Sequence, residues 1–257
     1  VMRAEKIYLS YGITTAQDGC FDLPSLPLVA GLHKMGQTKI DLYAYPRIDM
    51  LGDLADQVPA AKEAVYQDGV KVAGVKLFLD GSPQAKTAWL SEPYYIVPEG
   101  ESADYCAYPV QPDDEVVCNY FKQCLNNGWQ ILVHCNGDAA IEQFIVQYAR
   151  AQKETGITDA LRPVVVHCQT VREDQLDRMK EIGMMPTFFH DHVYLWGDVH
   201  LDSVLGPERG RRISPLASAL KRGMPFTLHQ DTPVIDPNMI LSLHLSLIHI
   251  SEPTRQA

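Results

Sequence analysis

The chain has 257 residues, enough for one large domain with a real core and a length at which α/β barrels occur as single units. Its 46% hydrophobic and 21% charged residues suit a globular enzyme or binding protein, and a net charge of -10 argues against nucleic acid or an anionic membrane surface as partner. No apolar run approaches the roughly 18–20 residues that cross a bilayer, so a membrane partner is not expected either.

Val1-Met2-Arg3 leads directly into a helix-like segment that ends at Tyr11-Gly12. Gly12 to Asp18 reads as the first strand, and Leu28 to Met35 as the helix after it. Ile40 to Tyr45 is the second strand, stopped by Pro46. A helix is predicted over Gln57 to Gln67, ended by Asp68-Gly69. The third strand is Ala73 to Leu79, a short apolar run closed by the turn signal Asp80-Gly81. The loop that follows, to about Pro112, is long for a compact domain and reads as functional or as a lid.

Asp113-Asp114-Glu115 opens the next helix with acid in its first turn, and Asn127-Gly128 closes it. Trp129 to His134 is a strand, Ala139 to Lys153 a helix and Pro163 to His167 a strand. Asp138, at the helix start, is expected to act as an N-cap. Arg172 to Ile182 is a helix, Met184 to Phe189 a strand, and a long polar segment precedes the helix Pro215 to Arg222 and the strand Pro225 to Gln230. Strands alternating with helices argue for a parallel sheet with helices outside it, here in seven βα units. No Gly-x-Gly-x-x-Gly follows the first strand, so a dinucleotide fold has no support.

The six cysteines, Cys20, Cys106, Cys118, Cys124, Cys135 and Cys168, form no C-x-x-C pair. They read as reduced core residues, which suits a cytoplasmic protein better than a disulfide framework. Both chain ends read as incomplete. Leu245 to Arg255 has the look of translated adapter sequence, so residues 1–244 are taken as the domain and 245–257 as a non-native tail.

Lys76 lies inside the third strand, where burying an ammonium is costly unless it is paired, neutralised or converted. Three other strands end on metal-competent residues: His134, His167 and, at Thr227-Leu228-His229-Gln230-Asp231, Asp231. If one strand precedes residue 1, these become strands four, five, six and eight of a (β/α)₈ barrel, at the strand ends where barrel enzymes build their sites. His190-Asp191-His192 has a His-x-His spelling but follows the strand ending at Phe189. It could still face substrate from the barrel mouth. His229 shares a strand face with Asp231 and is assigned a structural hydrogen bond.

This order of Lys, His, His and Asp resembles the amidohydrolase superfamily. The motifs Tyr11-Gly12-Ile13-Thr14-Thr15, Gly74-Val75-Lys76-Leu77-Phe78-Leu79-Asp80-Gly81-Ser82, Thr87-Ala88-Trp89-Leu90, His134-Cys135-Asn136-Gly137-Asp138-Ala139-Ala140 and Asp231-Thr232-Pro233-Val234 resemble its amidohydrolase-3 branch. Within that branch the chain is similar to N-substituted formamide deformylases. The resemblance implies an incomplete TIM barrel of metal-dependent hydrolase type, lacking the first strand and its His-x-His pair. It implies one or two divalent metals, zinc the expected ion, and cleavage of a non-peptide carbon–nitrogen bond in a small amide. A cyclic-amide or ester hydrolase, or an inactive barrel serving as a binding module, are the alternatives, and a homodimer is left open.

By the same resemblance Lys76 is carbamylated and bridges metals, His134 and His167 are metal ligands, and Asp231 touches metal and takes a proton from the hydrolytic water. Asp80, Ser82 and His190 are candidate substrate contacts, with a turn the other reading for Asp80 and Ser82. Without its first strand the chain itself is expected to be inactive and at best marginally folded.

Overall fold

Val75 to Phe78 pairs in parallel along its length with Ile131 to His134 at one edge and by the single Arg47–Lys76 bridge at the other. The structure is a computed structural model and describes residues 1–158 and 161–251. The strands are β1 (Thr15–Phe21), β2 (Asp41–Pro46), β3 (Val70–Val72), β4 (Val75–Phe78), β5 (Ile131–Cys135), β6 (Val164–His167), β7 (Met185–Phe188) and β8 (Thr227–Leu228). They form two parallel sheets in chain order, β1-β2-β3 and β4-β5-β6-β7-β8.

β3 and β4 occupy a single strand position. The lysine strand starts earlier than predicted, pairs first with β2, then breaks and pairs with β5. A parallel bridge between Arg47 and Lys76 ties the sheets together at this seam. Gly74 makes the crossing feasible, since a methyl group there would overlap the Gln130 carbonyl that accepts from the Val75 N–H at 2.8 Å. The chain thus has the α/β barrel architecture with seven strand positions. Among the described residues β1 pairs only with β2, and β8 only with β7.

The helices are α1 (Met2–Ser10), α2 (Leu26–Lys34), α3 (Asp114–Asn127), α4 (Asp138–Thr155), α5 (Glu173–Glu181), α6 (Asp191–Val199), α7 (Gly206–Gly210), α8 (Leu216–Lys221) and α9 (Met239–Ser251). α3 is bounded as its sequence dictates: Asp113 accepts from the Glu115 N–H at 2.9 Å, and Gly128 leaves the helix at φ 67°. Phe121, Phe144 and Tyr148 lock α3 onto α4, with ring centroids 5.0–5.9 Å apart. All six cysteines are free, and Cys135 and Cys168 are fully covered in this core.

Three predictions are corrected. No helix spans Gln57 to Gln67. Pro59 lacks an N–H and biases Val58 to extended backbone (φ -91°, ψ 112°), so only a 3₁₀ turn over Gly52–Gln57 precedes it. The segment after β7 is helical rather than a polar loop: α6 runs into a π-helical turn, His200–Val204, and then α7. Its apolar side chains Val204, Leu205 and Ile213 pack on Leu90 and Tyr94 of the long loop, which forms a second small core. The third correction concerns Asp138, which is the first residue of α4 rather than its cap and binds the Ser91 N–H and Arg172 Nη1, both at 2.9 Å. Residues 245–251 of the expected tail continue α9, while residues 252–257 lie outside the described residues.

Candidate metal centre

Strand register brings the expected ligands to one end of the sheet. Phe78 pairs with His134, and Cys135 with His167. Strict alternation would set the His134 and His167 side chains on opposite faces. His167 escapes that because its backbone turns left-handed, at φ 72°, and Cys168 follows at φ 50°. The result places His167 Nε2 3.1 Å from His134 Nδ1, with ring centroids 4.4 Å apart. Asp231 is also left-handed, at φ 54°. Non-glycine residues held in this region cost of order 1–3 kcal/mol each and cluster at functional sites.

A third imidazole extends the pair. His229 Nε2 lies 3.0 Å from His167 Nδ1, and Thr187 Oγ1 lies 3.1 Å from His229 Nδ1. At the other end His134 Nε2 meets the Gly81 carbonyl at 3.1 Å and stands 3.6 Å from Asp80 Oδ1. Burial holds all three rings neutral: it pushes His134 down to about 4, His229 to about 3, and His167 well below its ordinary value. Neutral imidazoles carry the lone pairs that a metal requires.

Lys76 is 4% exposed and its Nζ sits 5.0 Å from the centre of the Phe78 ring. Desolvation lowers its pKa to about 8, opposed by the field of Asp231. Asp231 is exposed as a residue, yet its carboxyl is desolvated enough to raise its pKa, with Lys76 pulling the other way. Lys76 also acts on His134, His167 and His229, so the four expected ligands and His229 share one electrostatic environment.

The three expected substrate contacts are otherwise engaged. The Asp80 carboxylate is fully buried and accepts from the backbone N–H groups of Trp89, Asn136 and Gly137 at 3.1, 3.0 and 2.6 Å. It anchors the long loop to the β5–α4 turn, where Gly137 is required because a methyl group would overlap Trp89. The Ser82 hydroxyl accepts from the Ala85 N–H at 3.4 Å, a local turn. His190 is buried against α9, its Nε2 donating to the Ser242 carbonyl at 2.6 Å. The residue of that motif nearest the centre is His192, whose ring lies 4.2 Å from that of Phe189, which in turn neighbours His167 and His229.

Sequence reasoning missed the part played by Asn136, and it gave His229 a structural hydrogen bond without naming the partners, which are His167 and Thr187. Both stand two residues from an expected ligand, Asn136 from His134 just past β5 and His229 from Asp231 just past β8. Asn136 Nδ2 donates to the Gly81 carbonyl at 2.9 Å, beside His134.

Among the described residues no group of three or more His, Cys, Asp or Glu side chains gathers its donor atoms as a metal site would. The His134–His167 pair nevertheless fits one. Two nitrogens bound tetrahedrally at about 2.0–2.1 Å lie ~3.3 Å apart. The observed 3.1 Å between His167 Nε2 and His134 Nδ1 is close to that spacing.

A model of the amidohydrolase family matches residues 3–252. The fold is similar to an uncharacterized metal-dependent hydrolase from Pyrococcus furiosus, with a TM-score of 0.77 and 23% identity over 95% of this chain and 48% of that one. A second such hydrolase, from Pyrococcus horikoshii OT3, gives a TM-score of 0.78 and 21% identity over 99% of this chain and 49% of that one. The Arabidopsis thaliana protein LONG AFTER FAR-RED 3 is 25% identical over 190 residues, 74% of this chain and 31% of its own. The chain thus spans at most about half the length of these relatives. With the family model covering nearly every residue and the parallel α/β architecture agreeing, the chain belongs to the amidohydrolase family.

Proposed function

We propose that this chain is part of a metal-dependent hydrolase that cleaves a carbon–nitrogen bond in a small amide. The reading is carried by the neutral imidazoles of His134, half-buried, and His167, buried, whose nitrogens stand 3.1 Å apart at the strand ends. These two would hold a divalent metal, zinc being the ion suited to neutral imidazole nitrogen, with Lys76 and Asp231 as the remaining ligands. When bound, the metal lowers the pKa of water and polarises a carbonyl.

The chain's own residues supply the rest. Asp231 serves as proton acceptor, and the desolvation that raises its pKa makes it a better base than a solvated carboxylate. Lys76, brought to about 8 by burial, keeps an appreciable neutral fraction near pH 7 to 8, the form that can add carbon dioxide and become an anionic oxygen ligand. Phe78 flanks His134 and Phe189 flanks His167, with ring centroids 5.2 and 6.4 Å apart.

Metal content tests the reading. The purified chain, incubated with Zn2+ and desalted, should retain zinc, and the double variant His134→Ala/His167→Ala should not. Equal zinc in both, or none in either, would remove the metal reading. Hydrolysis of a panel of small amides and esters, followed by amine or acid release, separates the amide reading from an ester one.

A further inference from the structure

Phe189 links the three imidazoles to a second polar cluster, which the proposed hydrolysis does not use. Its ring stands 6.4 Å from that of His167 and 5.5 Å from that of His229, and also 4.2 Å from that of His192. Gln84 of the long loop, Gln169 after β6, His192 of α6 and His200 of the π-helical turn meet there. Gln84 Nε2 is within hydrogen-bonding distance of His192 Nδ1 and lies 3.2 Å from His200 Nε2. Gln169 Nε2 lies 3.3 Å from the same His200 nitrogen. His200, Gln169 and His192 are 0%, 1% and 6% exposed.

The backbone around this cluster is irregular. α6 leaves helical geometry at Trp196, φ -134°, whose ring stands 4.7 Å from that of His192. His200 opens the π-helical turn. Ser214, whose N–H donates to the Gln169 carbonyl at 2.7 Å, is left-handed at φ 49°. Such backbone is costly and concentrates at functional sites.

The cluster is uncharged. Two of its members are amides, and burial holds both rings neutral, His192 at about 3 and His200 at about 4. Asp191, next to His192 in the chain, turns to the Ser242 hydroxyl of α9 at 2.9 Å. Among the described residues no Lys, Arg, Asp or Glu is hydrogen-bonded to any of the four. A charged group brought here would be desolvated without a counterion, whereas a neutral hydrogen-bonding group would not bear that cost. One such group is already in place, since the carboxamide of Gln84 reaches both imidazoles. It leaves the cluster unsatisfied, because the buried Gln169 Oε1 has no partner. Gln84 is also the one member of the four that is half-buried, and Ala85 after it is exposed.

We propose that His192, His200 and Gln169 form a subsite for a carboxamide of the substrate, and that Gln84 occupies it in the free protein as a displaceable stand-in. A primary carboxamide brings two N–H donors and a carbonyl acceptor in one small group. It therefore suits the two rings and the Gln169 amide whichever ring nitrogens carry the protons. The long loop releases Gln84 toward solvent as the ligand enters. The substrate class narrows to an amide with a second, uncharged carboxamide close to the scissile bond. That narrowing rests on the hydrolase reading above; the subsite itself does not.

Three near-isosteric probes, propionamide, propionate and propylammonium, test this on the full chain with chelator present. Proton–nitrogen spectra follow the side-chain amides of Gln84 and Gln169 and the rings of His192 and His200. Propionamide should shift all four saturably and bring the Gln84 amide to the position of a solvated one. The two charged probes should bind at least about tenfold more weakly, the worth of one hydrogen bond or more. Gln84→Ala, which removes the stand-in, should bind propionamide about tenfold more tightly, and Gln169→Leu about tenfold more weakly. The wild-type probe series requires no variant to fold. Equal binding of the charged probes, or unaltered affinity in Gln169→Leu, would overturn the proposal. So would binding by Gln84→Ala but not by the wild-type chain, which would make Gln84 a permanent part of the core. A chain that binds propionamide as expected but retains no zinc would overturn the metal reading and leave the subsite standing.

Discussion

The two halves of the strand run are built to different standards. Along β1 only Phe21 is buried, and on the same side of the molecule Leu28, Met35, Met50 and Val65 stand 64–69% exposed. In β6 every residue is buried, and α3, α4 and α5 cover β4 to β7 with a continuous apolar layer. The site straddles this difference. His134 and His167 grow from the dense half, Lys76 from the seam beside β2, and Asp231 follows β8, of whose two residues neither is fully buried. The nitrogen pair is therefore held by packing, while Asp231 is held by a short edge strand and a strained backbone.

The comparison breaks most visibly at the aromatic lock between α3 and α4. Phe144→Ala should destabilise the chain by about 3–5 kcal/mol, since a fully buried ring leaves a cavity that its neighbours cannot close. Met50→Ala, at a residue 69% exposed, should change stability by no more than about 0.5 kcal/mol. Urea midpoints of the two variants measure this. Equal losses would mean that the two halves do not differ in the way their burial implies.

Asp80 sharpens the comparison at the edge of the dense half. Asp80→Ala leaves three buried N–H groups, those of Trp89, Asn136 and Gly137, without their acceptor. With each orphaned donor costing about 1–3 kcal/mol and partial relaxation, a loss of about 3 kcal/mol is expected. The loop between Gly81 and Pro112 should be the first place cut in limited proteolysis. A variant that stays as stable and as resistant as the parent would return Asp80 to the role of a free substrate contact.

Much of this was legible from residues. Lys76 in an apolar run, and His134, His167 and Asp231 after apolar runs, marked the strand ends, and Asp113 and Gly128 marked the bounds of α3. The rest depended on distance in space. Asp80 reads as a substrate contact or a turn residue until the chain folds Trp89 and Gly137 around it. Nothing in Thr187 or in His229 reveals that they stand in line with His167, because β6, β7 and the residue just past β8 contribute one each. The predicted helix at Gln57 fails because Pro59 holds Val58 in extended backbone. The polar look of residues 190 to 214 hid the few apolar side chains that the long loop covers.

The smallest expected effect concerns Lys76, at the seam itself. Its pKa falls from an ordinary 10.5 to about 8, and desolvation is the chief cause. At pH 7 lysine is charged in both states, and the folded state alone bears the burial cost, about 3 kcal/mol for such a shift. The Phe78 ring returns about 0.5–1 kcal/mol through its face. Lys76→Met, of similar length and without charge, should therefore stabilise the metal-free chain by about 2 kcal/mol at pH 7. Between pH 8 and 10.5 the folded lysine has released its proton while the unfolded one retains it. The unfolded state then binds more protons, wild-type stability rises with pH, and the advantage of the variant shrinks toward zero. Urea unfolding of both proteins at pH 7 and pH 10, with chelator present and carbon dioxide removed, checks the sign and the slope. A variant that is less stable at pH 7, or whose advantage persists undiminished at pH 10, would mean that the lysine is paired at the seam rather than merely desolvated.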